Sequence, residues 1–398
     1  MDEFPCDYRI VKSFEDLGLS KHVLNALHEK DFTNPSVFQQ SSMASLLEGY
    51  DIIAEFESGS GKTMSYVISI LNVLNYSIHA PQVVIMVPTD EIGISVRKLF
   101  HQFGERMLIQ SSMIQSECLT KQISTHIVIG TPKYIIQAKQ SGFLATENIS
   151  MLVIDGFRDF TSDTFKPYFS DIVSLKESIS NIQTCIFFEE NSIINRDYCD
   201  QITSHKRVVI TPDKLRLHLS QHAYIYVERE KWKMDTIQDF CDEVTGRMVI
   251  FCNTKREVHY ISKVLASRGK QISIPSVELN NDKECIDEFN TNHSTILITN
   301  EIPEYQLEYL DIMILYQCPQ QYELYVEQLS CAKVSSSYKF PLVILFIAKN
   351  QMEQKKYIEE KLKLSLYELP LSQIEDIHLF AAYNQRMLHS SIRLRKYL

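Results

Sequence analysis

At 398 residues, with 44% hydrophobic and 23% charged side chains, the chain is long enough for two ordinary domains and too apolar to be disordered. A formal net charge of −10 argues against a polybasic nucleic-acid binder, so any phosphate contact must be local. Nine scattered cysteines, with no C-x-x-C pair, argue against a zinc cluster or a disulfide framework and fit a reducing compartment.

The opening "MDEFPCDYRI" has no basic and apolar signal, and the longest apolar run, "PLVILFIA" at 341–348, is too short to span a bilayer. The expectation is a soluble protein of the cytoplasm, with the nucleus as the alternative, and no membrane contact. In chain order, "FESGSGKT" at 56–63 comes first. It runs into "KTMSYVISILNVLN", where Val67, Ile70, Leu71 and Leu74 fall on one face at helical spacing. A glycine-rich turn that opens a helix suits phosphate: the backbone can approach closely, and the helix N-terminus favours negative charge. Ser58, Gly59, Ser60 and Gly61 would form the cradle, Lys62 would meet the β- and γ-phosphates, and the Thr63 hydroxyl would bind Mg²⁺.

Short β-branched runs follow, "VVIMVP" at 83, "IVIG" at 127, "MLVID" at 151, "TCIFF" at 184 and "RVVI" at 207. A second series comprises "MVIFC" at 248, "TILIT" at 295, "IMILY" at 312 and "LVILFI" at 342. Runs too short for helices, separated by helical stretches, predict buried parallel strands with crossover helices. The polar stretch 212–224 is placed as a linker. The predicted organisation is an α/β protein with a first domain over 1–211, the linker, a second domain over 225–377 and a basic tail over 378–398. That tail carries Arg386, Arg393, Arg395 and Lys396 and no acidic residue.

With these motifs in order, the chain resembles the DEAD-box RNA helicases, most closely the translation initiation factor 4A group and its exon-junction relative. The resemblance runs from about Phe14 to about Ile377. It rests on "FESGSGKT", on "DFTNPSVFQQ" at 31–40, and on "YVEREKWKMDTIQDF", "VIFCNTKREV" and "ELPLSQIEDI" in the second half. It implies two RecA-like domains, each a parallel sheet flanked by helices, and binding of ATP or ADP with Mg²⁺. By the same resemblance Phe32 would stack on adenine, Gln39 would read its edge, and Asp155 would hold Mg²⁺ through water together with Thr63. RNA would be met by Thr131, Lys133, Asn253, Thr254, Lys255 and Thr299 through backbone contacts, weakly and without sequence preference. The protein is expected to act as a monomer, with a translation-initiation scaffold as a candidate partner.

The chemical motifs depart from the family pattern. "D-E-A-D" is replaced by "VIDGFRDF", which keeps Asp155 but puts Gly156 at the general base and Arg158 at the last Asp. "S-A-T" falls on Phe188, Glu189 and Glu190, and the arginines of "H-R-I-G-R" on Gln328 and Cys331. The arginine and aspartate of "A-R-G-x-D" become Tyr305 and Glu308, and "P-T-R-E-L" becomes "PTDEI" with Asp90 for the arginine. An arginine finger is worth about 10³–10⁵ in rate and a general base about 10²–10⁴, so hydrolysis is expected to be impaired or lost. Glu189 and Glu190 are the candidate substitutes for the base. The two rival readings are a divergent but active ATP-dependent RNA helicase and a protein-interaction module.

Overall fold

The computed structural model describes residues 11, 13–56, 59–115, 122–157, 165–189, 196–204, 206–275, 282–291, 294–303, 305–333 and 340–370. The expectations for Ser58, Arg158, Glu190 and the tail 378–398 lie outside these residues. The chain divides into two compact units, Met1–Pro212 and Asp213–Leu398.

In the first unit, helices α1 (Lys21–His28) and α2 (Val37–Leu47) precede strand β1 (Asp51–Phe56) and helix α3 (Lys62–Val73). Then come β2 (Val83–Met86), α4 (Asp90–Gly104), β3 (Ser111–Ile114), β4 (Ile127–Gly130), α5 (Pro132–Gln140) and β5 (Met151–Phe157). Helix α6 (Phe169–Glu177), β6 (Gln183–Glu189), α7 (Arg196–Ile202) and β7 (Arg207–Ile210) complete the unit. The strands form one sheet in the order β3-β4-β2-β5-β6-β1-β7, with every pairing parallel. Strands β2 and β4 are buried along their whole length, which is why they read as unbroken apolar runs. The order places β5, β6 and β1 side by side, so the loops at their carboxyl ends, where open α/β sheets bind ligands, are neighbours.

Helix α8 (Pro212–Leu219) starts at the last residue of the first unit and leads into β8 (Gln221–Val227) of the second, so the stretch expected to be a linker is a helix and the start of a strand. Two of its polar side chains, Arg216 and His222, are buried and satisfied inside the unit. His222 is buried, with Nδ1 2.5 Å from the Tyr325 hydroxyl and Nε2 2.7 Å from the Leu217 carbonyl. Arg216 Nε donates to the Ala332 carbonyl at 2.7 Å. The unit continues with α9 (Lys233–Glu243), β9 (Met248–Phe251), α10 (Lys255–Ser267), β10 (Ile272–Ser273), α11 (Asp282–Asn290) and β11 (Ile296–Thr299). It ends with β12 (Ile312–Leu315), α12 (Tyr322–Ser330), β13 (Leu342–Ala348), α13 (Met352–Leu362) and β14 (Tyr367–Glu368). This sheet is also parallel throughout, in the order β10-β11-β9-β12-β13-β8-β14. Each unit is a parallel sheet flanked by helices, as expected of a RecA-like domain. Among the described residues no helix is long and apolar enough to cross a membrane.

Candidate nucleotide-binding site

The glycine loop leaves β1 at Phe56 and turns through Gly59, Ser60 and Gly61 into α3. Gly61 is the N-cap of α3 and holds φ 98°, a left-handed conformation that glycine adopts without penalty. A Cβ there would lie 2.7 Å from Gln39 Nε2 and 2.8 Å from Ser36 Oγ, so space as well as conformation requires glycine. The bare helix N-terminus beside Lys62 fits the phosphates of a nucleotide.

Two side chains at the start of α2 hold this loop. Ser36 Oγ donates to the Ser60 carbonyl at 2.6 Å, and Gln39 Nε2 donates to the Gly61 carbonyl at 3.3 Å. The Gln39 carbonyl oxygen accepts from the Ser36 N–H at 2.8 Å, and Ser36 Oγ accepts from the Gln39 N–H, a capping box that fixes the start of α2. With Gln39 only 3% exposed, its amide is engaged at one end with the loop and at the other with its own cap. Sequence reading missed Ser36, although the Ser-x-x-Gln spacing of a capping box was there to find. Phe32, the expected adenine platform, is half-buried and packs edge-to-face on Phe103 at 5.6 Å.

Behind the loop lies a small polar cluster in an aromatic bed. Lys62 is buried and its Nζ donates to the Phe56 carbonyl at the end of β1. Phe56 packs on Phe38 with ring centroids 5.3 Å apart, which accounts for a large residue where the family pattern has a small one. Asp155 is 4% exposed; its Oδ2 accepts from the Tyr66 hydroxyl at 2.7 Å and from Thr63 Oγ1 at 3.4 Å. Burial lifts the Asp155 carboxyl above its ordinary range, while the Tyr66 hydrogen bond, the Lys62 charge and Thr63 pull it back. Burial first, then the adjoining carboxylate, push the Tyr66 phenol well above its ordinary value. A hydroxyl and a carboxylate are hard oxygen donors of the kind Mg²⁺ takes, so Thr63 and Asp155 fit that ion by chemistry. Tyr66 went unnoticed in the sequence because it stands 89 positions from Asp155.

The hydrolytic groups have different fates. Strand β5 shifts register between Asp155, opposite Phe187, and Phe157, opposite Phe188, so Gly156 is the extra residue of a bulge. Its φ is 78°, again left-handed. Phe188, in place of the first residue of the coupling motif, is fully buried in the core. Glu189 ends β6 directly opposite Phe56, the residue from which the glycine loop departs. In the second unit, Gln328 and Cys331 are both buried, and Gln328 Oε1 has no hydrogen-bond partner among the described residues. The Cys331 carbonyl accepts from the Leu307 N–H at 2.7 Å, tying that segment to the core. Tyr305 is exposed, and Glu308 pairs with Lys333 at 2.6 Å.

The expected RNA contacts are also mixed. Thr131 stands at the N-cap of α5, but its side chain makes no capping bond. It lines a cavity of about 420 Å³ with Lys133, Tyr134 and Tyr168, together with Asp90 and Glu91 from the first turn of α4. Asp90 Oδ1 is buried without a hydrogen-bond partner among the described residues, and Asp90 lines the cavity beside Thr131, where a phosphate was expected. In the second unit, Asn253, Thr254 and Lys255 are exposed at the start of α10, where Thr254 forms a capping box with Glu257. Thr299 is turned inward: its hydroxyl donates to the Glu301 carbonyl at 2.8 Å and accepts from the Glu301 N–H at 3.0 Å.

Residues 36–189 match the DEAD/DEAH box helicase family. The chain is 26% identical over 381 residues to eukaryotic initiation factor 4A of Cryptosporidium parvum, covering 92% of this chain and 93% of that protein. It is 28% identical over 334 residues to the ATP-dependent RNA helicase eIF4A of Yarrowia lipolytica, covering 80% and 84%. Among solved structures, a DEAD box protein of the hyperthermophile Methanococcus jannaschii aligns with a TM-score of 0.46 at 20% identity, over 90% of this chain and 99% of that one. Residues 36–189 thus carry a DEAD/DEAH box helicase domain, and over most of its length the chain is similar to initiation factor 4A RNA helicases.

Proposed function

We propose that this chain binds adenine nucleotide in its first unit and holds it without appreciable hydrolysis, acting as a nucleotide-bound RNA clamp or competitor. The observation that carries this reading is Gly156, which sits in a left-handed bulge beside Asp155 and offers no side chain to deprotonate water. Burial of Gln328 and Cys331 supports it from the second unit, since neither can supply the positive charge that phosphoryl transfer requires.

In this reading the N-terminus of α3 and Lys62 hold the phosphates, Gln39 and Ser36 keep the loop in shape, and Phe32 contributes to the adenine pocket. Thr63 and Asp155 would hold Mg²⁺, which when bound neutralises phosphate charge. RNA is met weakly by Asn253, Thr254 and Lys255 through its backbone, while Asp90 and Glu91 weaken the contact expected of Thr131 and Lys133.

The test is RNA-stimulated phosphate release by the purified chain, with Lys62→Ala as control, beside RNA affinity measured with and without ATP across a salt series. Release at background, with ATP-tightened RNA binding that falls steeply with salt, supports the clamp. Release that RNA stimulates and Lys62→Ala abolishes would replace it with an active helicase.

A further inference from the structure

We propose that the exposed face of α10, built from Arg256, Tyr260 and Lys263, is a binding surface for single-stranded RNA, with the two cations on phosphates and the Tyr260 ring stacked on a base. The inference rests on the RNA-binding reading above and adds to it a surface and a stacking residue.

Helix α10 packs inward through Val258, Ile261, Ser262 and Leu265, which leaves Lys255, Arg256, His259, Tyr260 and Lys263 exposed on the opposite face. No exposed position of this helix holds a carboxylate, and its one acidic residue, Glu257, is half-buried. Helix α9, packed beside it, exposes Asp235, Asp239, Asp242 and Glu243 instead. In a chain of net charge −10, the positive charge gathered on α10 is therefore local, and it is complementary to phosphate. Further along, Arg268 and Lys270 are taken up by Asp242. Arg256 and Lys263 form no ion pair among the described residues.

These two cations flank an aromatic ring. Tyr260 stands four residues after Arg256 and three before Lys263, so all three share one face, with the cations about 10 Å apart along the axis. A strand lying along the helix meets charge, ring and charge in turn. Tyr260 is 57% exposed, and a base can stack on such a ring whatever its identity. The turn that precedes α10 explains why side chains are needed here. Glu257 Oε2 accepts from the Asn253 N–H at 3.0 Å and the Thr254 N–H at 3.1 Å, and its Oε1 accepts from Gln317 Nε2 at 3.1 Å. Each N–H has a single hydrogen, so the backbone of the turn is spent on its own cap and contact with phosphate is left to side chains. The face of α10 continues directly from that turn.

The experiment is equilibrium binding of fluorescently labelled oligouridylate to the full chain with ATP, read by anisotropy across a salt series. The proteins are the wild type, Tyr260→Ala, Tyr260→Phe and the double variant Arg256→Gln with Lys263→Gln, with thermal unfolding of each as a check on folding. We expect Tyr260→Ala to bind about 5- to 150-fold more weakly at every salt concentration with an unchanged slope, and Tyr260→Phe to bind like the wild type. The double variant should lower the log–log salt slope by about 1.4, the increment for two phosphate contacts. Tyr260→Ala that binds like the wild type overturns the stacked base, and an unchanged slope in the double variant overturns the surface. In either case RNA binding by the wild type leaves the earlier reading standing. Polyglutamate that displaces the oligomer as effectively as unlabelled RNA would make the face a dock for an acidic protein segment and overturn the proposal as well. If the wild type does not bind the oligomer even at low salt, the RNA-binding reading fails, and this inference with it.

Discussion

Placing a glutamate at position 156 should not produce hydrolysis, because the backbone there is built for glycine. Gly156 has φ 78° and is the extra residue of the bulge between Asp155 and Phe157. An added Cβ meets Pro88 Cδ at 3.4 Å and Pro88 Cγ at 3.5 Å, ordinary contacts, so the obstacle is conformational rather than steric. A non-glycine residue in the left-handed region costs about 1–2 kcal/mol. In a unit of this size that lowers the melting temperature by about 2–8 °C. Gly156→Ala should carry nearly the same penalty as Gly156→Glu, which separates backbone strain from any effect of the carboxylate. A correctly placed base would still leave the site short of its arginine fingers, worth about 10³–10⁵ in rate. Phosphate release from Gly156→Glu with single-stranded RNA should therefore stay at background while the protein melts earlier. A rise in release of more than about tenfold with unchanged melting would refute the reasoning, since it would mean that the chain at 155–157 is free to take the conformation a catalytic glutamate needs.

Three further outcomes are expected. Lys62→Ala should weaken ADP binding by about tenfold or more, measured by displacement of a fluorescent analogue, because a charge-assisted phosphate contact is lost. Asp90→Arg should tighten binding to single-stranded RNA and steepen its log–log salt dependence by about 0.7, the increment for one added phosphate contact; an unchanged slope would mean this face does not meet RNA. The second unit should lose stability as pH falls. Burial depresses His222 to about 4, with the neutral ring accepting from Tyr325 at Nδ1 and donating to the Leu217 carbonyl from Nε2. The unfolded chain, with its histidine near 6.5, binds the proton first, so stability is complete above that value and declines through the window from 6.5 toward 4. The loss between pH 7 and 5 is about 2 kcal/mol, and denaturant titrations should show it flattened in His222→Gln.

The strands that could be read from the sequence are those buried on both faces, such as Val83–Met86 and Ile312–Leu315, because their apolar runs are unbroken. Strand β8 escaped because Gln221 and His222 look like surface residues, and only the fold supplies the Tyr325 hydroxyl and Leu217 carbonyl that satisfy the imidazole. The two-residue strands β10 and β14 carry too little pattern to register. In the site, the glycine loop could be picked out from spacing within a short segment, and Asp155 only through the family resemblance. The engagement of Gln39 with the loop could not be picked out, since its partners lie 22 residues away at Gly61 as well as within its own capping box. The glycine at 156 could be read as a missing base. Its left-handed backbone, which determines whether the base can be put back, is a property of the sheet register and could not.

The central claim is that a nucleotide enters this site and leaves unchanged. The most direct measurement is a single-turnover experiment, with the protein in excess over γ-labelled ATP and saturating single-stranded RNA, following the chemical identity of the protein-bound nucleotide over hours. The account predicts that the bound nucleotide remains ATP, with no more free phosphate than in Lys62→Ala. Conversion of the bound ATP to ADP, dependent on RNA and abolished by Lys62→Ala, would contradict it and make Glu189 the first residue to test as the base.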